Sequence, residues 1–310
     1  MSLLRPHGIS APATDADDPR LGRWLAARDA LAPSTRVALL GFPVDDGVRR
    51  NGGRPGAAEA PAAIRRALYG LTPDPRAPAF EWLLGHTADL GDVVPTGDLA
   101  RDQRALGDAV ARVLDAGAVP VVLGGGHETA YGHALGYLET GRAVHLVNWD
   151  AHADVRPLRG GRGHSGSPFR QALEHPSGLA RSYTLLGALP WRVAAAHARR
   201  ADAVVWADAL TPGRVEALAA GFAEATYASF DLDAVAAGDA PGVSAPGVGG
   251  LAVPTWLAAA EACGRSPAVA SLDLVELSPP HDDGRTAVLA ALTVWHMLRG
   301  LADRLRASPA

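Results

Sequence analysis

The sequence contains no lysine, so all 29 of its Lys and Arg residues are arginine. Any permanently charged side chain that binds an anionic ligand must therefore be an arginine, whose planar guanidinium can bind a carboxylate through two parallel hydrogen bonds. The sequence has one cysteine, Cys263, which excludes an intrachain disulfide. No second thiol or metal-ligand pattern lies near it, and we predict that it is a buried apolar residue.

Long apolar runs are also lacking. No stretch is long enough to span a bilayer, and residues 1–20 do not contain the apolar core of a secretory signal. The formal net charge of −4 does not favour nucleic acid or a membrane surface as a partner. We therefore expect a cytoplasmic protein with neither of these partners.

Short apolar runs alternate along the chain with Ala-rich stretches at helical spacing. The runs cover residues 36–42, 118–125, 143–149, 182–189, 203–207, 225–233 and 268–277. The helical stretches include residues 60–70, 99–117, 214–225, 254–264 and 284–306. This alternation predicts an α/β fold with a mostly parallel sheet covered on both faces. We predict one domain over residues 34–310, preceded by an N-terminal extension over residues 1–33.

Metal-type ligands follow several of the predicted strands at the point where each strand ends. They are His127, then Asp150, His152 and Asp154, then Asp231 and Asp233, and finally Glu276. In a parallel sheet the carboxyl ends of the strands meet at one edge, where ligands bind. The chain therefore predicts a site at this edge.

The first six of these residues, four carboxylates and two imidazoles, predict a metal centre. Taken alone, "GGGHE" (124–128) is more typical of a glycine-rich turn and "SFDLD" (229–233) of a solvated strand end, whereas "DAHAD" (150–154) favours a metal. Four clustered carboxylates repel one another, and two divalent cations balance their charge. Oxygen-rich ligation favours Mn²⁺ over Zn²⁺; the charge count leaves Fe, Co and Ni open.

These three segments, with the third extended to "SFDLDAVAAGDAPGVSAPG" (229–247), resemble the signature regions of the arginase/agmatinase (ureohydrolase) family. The resemblance runs from about residue 36 to 300. It implies a three-layer α/β/α fold with a mostly parallel, eight-stranded sheet. It also implies two Mn²⁺ ions per chain and a homo-oligomer acting on a small-molecule substrate. The implied metal ligands are His127, Asp150, His152, Asp154, Asp231 and Asp233.

Other segments, including residues 41–68, 163–171 and 273–291, resemble the formimidoylglutamase branch of that family. This branch hydrolyses N-formimidoyl-L-glutamate to L-glutamate and formamide in histidine degradation. A hydroxide bridging the two ions would attack the amidine carbon. We expect Asp154 to hold this nucleophile and relay its proton, with Glu276 paired to the cationic amidinium. His164 is either an acid or proton shuttle or a solvated loop histidine.

A dianionic substrate requires arginine near the mouth of the site, and Arg156 is the leading candidate. Arg49, Arg50 and Arg54 are weaker candidates, because most arginines are solvated surface groups. Glu128 either orients His127 or caps the helix that follows it, and the sequence does not separate these roles. Two alternatives stay open: a ureohydrolase that releases urea from agmatine or a guanidino acid, and a catalytically silent member of the family.

Overall fold

The computed structural model describes residues 4–15, 17–25 and 30–307. These residues form one sheet of nine strands with helices on both faces. The strands are β1 (Leu4–Arg5), β2 (Val37–Gly41), β3 (Thr87–Val93), β4 (Val119–Leu123), β5 (Val144–Trp149), β6 (Ala180–Ala188), β7 (Ala203–Trp206), β8 (Thr226–Asp231) and β9 (Val269–Val275).

Eleven α-helices lie in the described part of the chain. They are α1 (Gly22–Leu25), α2 (Asp46–Asn51), α3 (Ala60–Tyr69), α4 (Pro78–Gly85), α5 (Leu99–Asp115), α6 (Thr129–Leu138), α7 (Pro168–Leu173), α8 (Ala195–Ala198), α9 (Pro212–Ala220), α10 (Val253–Arg265) and α11 (Arg285–Ala307). Short 3₁₀ turns cover Ala57–Glu59, Ala207–Ala209, Leu232–Ala234 and Pro279–His281.

Two apolar layers cover the sheet, one on each face. Successive residues of β2 show the alternation, because Val37 and Leu39 belong to one buried cluster while Ala38 and Leu40 belong to the other. The first cluster includes residues of α3, α4, α10 and α11, and the second includes residues of α5, α6 and α7. The predicted three-layer α/β/α architecture is confirmed.

The strand order is β1-β3-β2-β4-β9-β8-β5-β6-β7. Every pair except β1–β3 is parallel. The expected count of eight strands was therefore one too low, because β1 adds an antiparallel strand at the edge. β1 belongs to the predicted N-terminal extension, part of which lies outside the described residues. Within its described part, Leu21 and Leu25 are fully buried.

β3 was missed by the search for apolar runs, although all seven of its residues are buried. Two aspartates, Asp89 and Asp92, interrupt its apolar pattern. Arg65 of α3 is also buried, and it donates to both oxygens of Asp89 at 2.7 and 2.8 Å and to Asp92. This charge pairing allows a strand with two acids to lie inside the protein.

The sheet order brings four strands together at its centre, namely β4, β9, β8 and β5. These are the strands whose carboxyl ends carry His127, Glu276, Asp231 and Asp150. The connection from β5 leads to β6 on one side, whereas the connection from β8 leads to β9 on the other side. β5 and β8 are therefore neighbouring strands whose connections run in opposite directions. Ligands of open parallel sheets bind at such a switch point.

Candidate metal centre

The six predicted metal ligands converge at the carboxyl edge of the four central strands. His127 follows β4, the segment from Asp150 to Asp154 follows β5, and Asp231 ends β8. Potential ligand atoms of His127, Asp150, Asp154 and Asp231 all lie within 4.8 Å of one another. A second group with the same property consists of Asp150, His152 and Asp233.

One imidazole nitrogen in the first group is surrounded by carboxylate oxygens. The Nδ1 atom of His127 lies 2.9 Å from Asp231 Oδ2, 3.0 Å from Asp154 Oδ2 and 3.3 Å from Asp150 Oδ2. It is buried and makes no hydrogen bond. A nitrogen carries at most one proton and cannot bond three acceptors. This arrangement, with its ligand atoms aimed at a shared centre, fits a cation.

The second group shares a carboxylate with the first. The Nδ1 atom of His152 lies 3.0 Å from Asp233 Oδ2 and 3.5 Å from Asp150 Oδ1. The two oxygens of Asp150 therefore face different groups, Oδ2 towards His127 and Oδ1 towards His152. A carboxylate placed in this way can bridge two ions, as two-metal sites require.

The electrostatics of the cluster also call for positive charge. Burial, reinforced by the neighbouring Asp233 and Asp150, raises the pKa of Asp231 well above its ordinary range. Burial raises the pKa of Asp233 to about 6. The Asp233 carboxylate in turn raises the pKa of His152 to about 12. Each shift has the sign expected when buried acids lack enough cations nearby.

A polar network behind His127 fixes the direction of its ring. His127 Nε2 lies 3.1 Å from Ser229 Oγ, and Ser229 donates to Asp273 Oδ1 at 2.6 Å. Tyr227 and His133 contact the other oxygen of Asp273. When Ser229 donates to Asp273, its oxygen accepts the Nε2–H of His127, which leaves the Nδ1 lone pair facing the carboxylates. Sequence reasoning missed this network, because Tyr227, Ser229 and Asp273 lie within buried strands and His133 lies within α6.

Backbone strain marks two of the predicted site residues. Asp154 has φ 46° and Glu276 has φ 70°, and among the described non-glycine residues only Ala225 shares this left-handed conformation. Such strain costs roughly 1–3 kcal/mol per residue and concentrates at functional sites. Burial raises the pKa of Glu276 to about 8, and its Oε1 accepts the backbone N–H of His127 at 2.8 Å.

A cavity of about 300 Å³ opens beside the cluster, and we call it the ligand cavity. Its walls include ligands of both groups, Glu276 and three arginines, at positions 54, 156 and 192. Arg156 is exposed and, within the described part of the chain, its guanidinium has no hydrogen-bond or ion-pair partner. Arg54, by contrast, donates to the backbone carbonyls of Val243 and Ser244.

Arg192 is a cavity residue that sequence reasoning missed. Its Nη2 donates to Pro246 O at 2.8 Å, and its Nη1 lies 3.5 Å from His152 Nε2. It follows β6, so the strand-end argument could have found it if cations had been searched as well as acids. The other two arginine candidates lie elsewhere: Arg49 pairs with Asp45 at 3.2 Å, and Arg50 donates to Gly163 O at 3.2 Å.

His164 is buried and does not appear among the residues that line the ligand cavity. Its Nδ1 accepts the Gly166 N–H at 3.1 Å, and its Nε2 lies 3.0 Å from Pro157 O. Burial lowers its pKa, which favours the neutral ring. Both nitrogens thus contact backbone, an arrangement that favours a role in holding the loop over the predicted role as proton shuttle. The predicted solvated histidine is also not what the structure shows.

Comparison with known proteins agrees with this geometry. A sequence profile of the arginase family matches residues 35–299. The chain belongs to the arginase family. The structure of Trypanosoma cruzi formiminoglutamase with Mn²⁺ superposes with a TM-score of 0.84 and 32% identity, covering 93% of this chain and 100% of that one. Proclavaminate amidino hydrolase from Streptomyces clavuligerus superposes with a TM-score of 0.77 and 26% sequence identity, covering 93% of this chain and 97% of that one.

A curated relative, formimidoylglutamase from Salmonella heidelberg, is 41% identical over 187 residues. That alignment covers 58% of this chain and 55% of the relative, so the chain matches little more than half of the relative's length. Among the described residues of this arginase-family chain, no helix is both long and apolar enough to cross a membrane.

Proposed function

We propose that this chain hydrolyses N-formimidoyl-L-glutamate to L-glutamate and formamide. The observation that carries the proposal is a pair of overlapping ligand groups, joined by Asp150, that opens into a cavity. One arginine of this cavity, Arg156, has no side-chain partner among the described residues. A two-metal cluster can activate water for the hydrolysis of an amidine, and an arginine can bind the carboxylate of an acidic substrate. The similarity to the formimidoylglutamase of Salmonella heidelberg and the formiminoglutamase of Trypanosoma cruzi supports the same substrate.

Two Mn²⁺ ions are the proposed cofactor. His127, Asp150, Asp154 and Asp231 would hold one ion, and His152, Asp150 and Asp233 the other. When bound, the ions would lower the pKa of water and so supply a hydroxide nucleophile near neutral pH. Oxygen ligands outnumber nitrogen ligands in both groups, which favours a hard ion such as Mn²⁺.

Glu276 and Asp154 are the proposed catalytic residues of the chain. Glu276 is buried and lines the ligand cavity, so its carboxylate would pair with the amidinium of the substrate and orient the carbon for attack. Asp154 also lines the cavity, and it would pass a proton from the attacking water to the leaving amine. The C–N bond to the glutamate nitrogen then breaks, and formamide and L-glutamate leave.

Arg156 is the proposed anchor for a substrate carboxylate, and Arg192 extends this positive wall. Arg156 is free to form a two-point contact. Arg192 Nη2 donates to Pro246 O and its Nη1 lies 3.5 Å from His152 Nε2, so its remaining N–H groups are available to the ligand cavity. Positive charge on two walls matches a substrate with two carboxylates. A guanidino substrate such as agmatine carries no carboxylate and would gain nothing from these residues.

Turnover assays test this proposal. Protein loaded with Mn²⁺ is given N-formimidoyl-L-glutamate, agmatine or a set of guanidino acids, and formamide and urea are measured. We expect formamide from the first compound, and loss of that activity in excess chelator. Urea from a guanidino compound without formamide would favour the ureohydrolase alternative. No turnover and less than one bound ion per chain would favour a catalytically silent protein.

A further inference from the structure

Glu128 is a fully buried acid that the proposed mechanism does not use. It follows His127 directly, but its side chain makes no capping bond at the start of α6. Its Oε1 instead accepts the backbone N–H of Gly47 at 2.6 Å, across 81 residues of sequence. Neither of the two roles predicted from the sequence, orienting His127 or capping α6, describes this contact.

The contact lies at the beginning of α2. The first turn of a helix has backbone N–H groups without intrahelical partners. Asp45, which precedes α2, makes no capping bond there, because its carboxylate accepts from Gly56 N–H at 2.6 Å and pairs with Arg49. Glu128 therefore supplies from another part of the fold the acceptor that the first turn of α2 lacks.

Two glycines show how closely the Glu128 carboxyl is enclosed. A Cβ atom on Gly47 would lie 2.5 Å from Glu128 Cδ, and a Cβ on Gly126 would lie 2.3 Å from Glu128 Oε2. Gly47 is in α2 and Gly126 is in the turn that carries His127. The carboxyl thus fills the space between these two segments and fixes their separation.

α2 leads directly into a wall of the ligand cavity. Asn51 ends this helix, and it lines the cavity together with Gly52, Gly53 and Arg54. At the other end of the contact, Glu128 belongs to the turn that carries His127. We infer that Glu128 is a positioning residue that holds the wall formed by residues 51–54 at its working distance from the metal-binding turn. This inference rests on the proposed function, because it assigns the contact a role in binding that substrate.

The inference predicts an effect on substrate binding that is separate from metal loading. Glu128→Gln keeps an oxygen acceptor for Gly47 N–H, whereas Glu128→Ala removes it. We expect Glu128→Ala to raise KM for N-formimidoyl-L-glutamate about 10-fold or more, which corresponds to loss of one hydrogen bond to a buried partner. We expect kcat within about threefold of the parent and unchanged Mn²⁺ content. Glu128→Gln should restore most of the KM.

The controls separate the possible failures. Glu139→Ala, at the exposed C-terminus of α6, should change neither constant. If Glu128→Ala does not fold, Glu128→Asp, whose shorter side chain cannot reach Gly47 as well, should show the KM effect. The inference would be overturned if the folded variant had the same KM as the parent. It would also be overturned if the weaker substrate binding were explained by a lower Mn²⁺ content.

Failure of the proposed function gives a different result, namely a parent protein that releases no formamide. In that case the dissociation constant of N-formyl-L-glutamate, measured by calorimetry on the Mn²⁺-loaded protein, replaces KM. Weaker binding to the Ala variant than to the Gln variant still supports the positioning role. Identical binding to both variants and the parent, or no binding to the parent at all, contradicts it.

Discussion

The Nδ1 atom of His127 lies 2.9 Å from Asp231 Oδ2, yet the two atoms share no hydrogen bond. His127 follows β4 and Asp231 ends β8, and β9 lies between these two strands in the sheet. The fold thus holds the Nδ1 lone pair of His127 close to a carboxylate without a hydrogen bond between them. A cation bound between the two atoms accounts for this geometry.

Removal of one ligand should remove the ion that it holds. We expect parent protein dialysed after Mn²⁺ loading to keep about two ions per chain, as two-metal hydrolases do. His127→Ala should keep fewer and lose more than about 100-fold in kcat/KM, beyond the effect typical of residues that merely support a ligand. Elemental analysis and the formamide assay measure both effects. Asp239→Asn, a change of an exposed acid in the nearby loop, is the control, and equal Mn²⁺ content in parent and His127→Ala would contradict the ligand assignment.

Ser229 should matter to metal binding although it does not face the ligand cavity. Ser229→Ala removes the acceptor for His127 Nε2–H, so the ring loses the contact that directs Nδ1 towards the carboxylates. We expect Mn²⁺ affinity to fall about 10- to 100-fold, the usual cost of losing such support. Competition with a fluorescent chelator measures it.

Ser271→Ala is a matched control for Ser229→Ala. Ser271 belongs to the same buried network but contacts His133 and Tyr137 and not His127. Both variants lose a buried hydroxyl, so their thermal stabilities should fall by similar amounts. Equal losses of Mn²⁺ affinity in the two variants would show that the network acts through stability alone.

Arg156 should govern the affinity for substrate carboxylate. Arg156→Leu removes from the cavity wall a guanidinium that has no partner in the described part of the chain. We expect KM for N-formimidoyl-L-glutamate to rise about 10- to 100-fold, because hydrogen bonds to charged groups contribute about 1.5–3 kcal/mol. The kcat value should change much less, since the guanidinium is proposed to contact a substrate carboxylate and not the reacting carbon. Steady-state kinetics at constant ionic strength check this.

Arg162→Leu is the control for Arg156→Leu, because Arg162 is exposed on the same loop and lines a different cavity. A KM increase of equal size in both variants would indicate a general effect of positive charge on the approach of an anion. Unchanged KM in Arg156→Leu would remove this residue from the substrate site.

The convergence of the six candidate ligands could be predicted because each lies in or just after the end of an apolar run, and the carboxyl ends of parallel strands meet at one edge of the sheet. Short polar motifs after apolar runs mark such ends. Arg192 follows β6 and could have been found by searching strand ends for cations as well as acids. Its contact with His152 and the contact between Ser229 and Asp273 could not be found in this way. Their roles depend on which strands become neighbours and on which nitrogen of His127 faces the site, and both are properties of the folded sheet.

Strand β3 could not be predicted from its apolar pattern either. An apolar run identifies a buried strand only when the buried side chains are themselves apolar. β3 contains two buried aspartates, which form ion pairs with Arg65. Likewise, the close approach of Glu128 to Gly47 depends on packing between α2 and the β4 turn. The position of α2 relative to that turn is not encoded in either segment alone.

Arg65 should be worth far more to stability than its neighbour in sequence. Both arginines lie on α3, but Arg65 is fully buried between Asp89 and Asp92 whereas Arg66 is exposed. Arg65→Leu leaves two buried carboxylates without their cation. We expect the free energy of unfolding to fall by about 3–5 kcal/mol, the cost of breaking a buried ion pair on one side. Arg66→Leu should change it by less than about 0.5 kcal/mol, as most surface substitutions do.

Urea unfolding followed by circular dichroism measures both variants against the parent. The Tyr69 hydroxyl donates to Asp89 at 2.7 Å and the Gly91 N–H donates to it at 3.1 Å, so two hydrogen bonds to this carboxylate survive in Arg65→Leu. The double change Arg65→Leu with Asp89→Asn should therefore recover part of the lost stability, because it removes one of the two uncompensated charges. A double variant less stable than Arg65→Leu alone would show that packing around the guanidinium, and not charge, sets the cost of its removal.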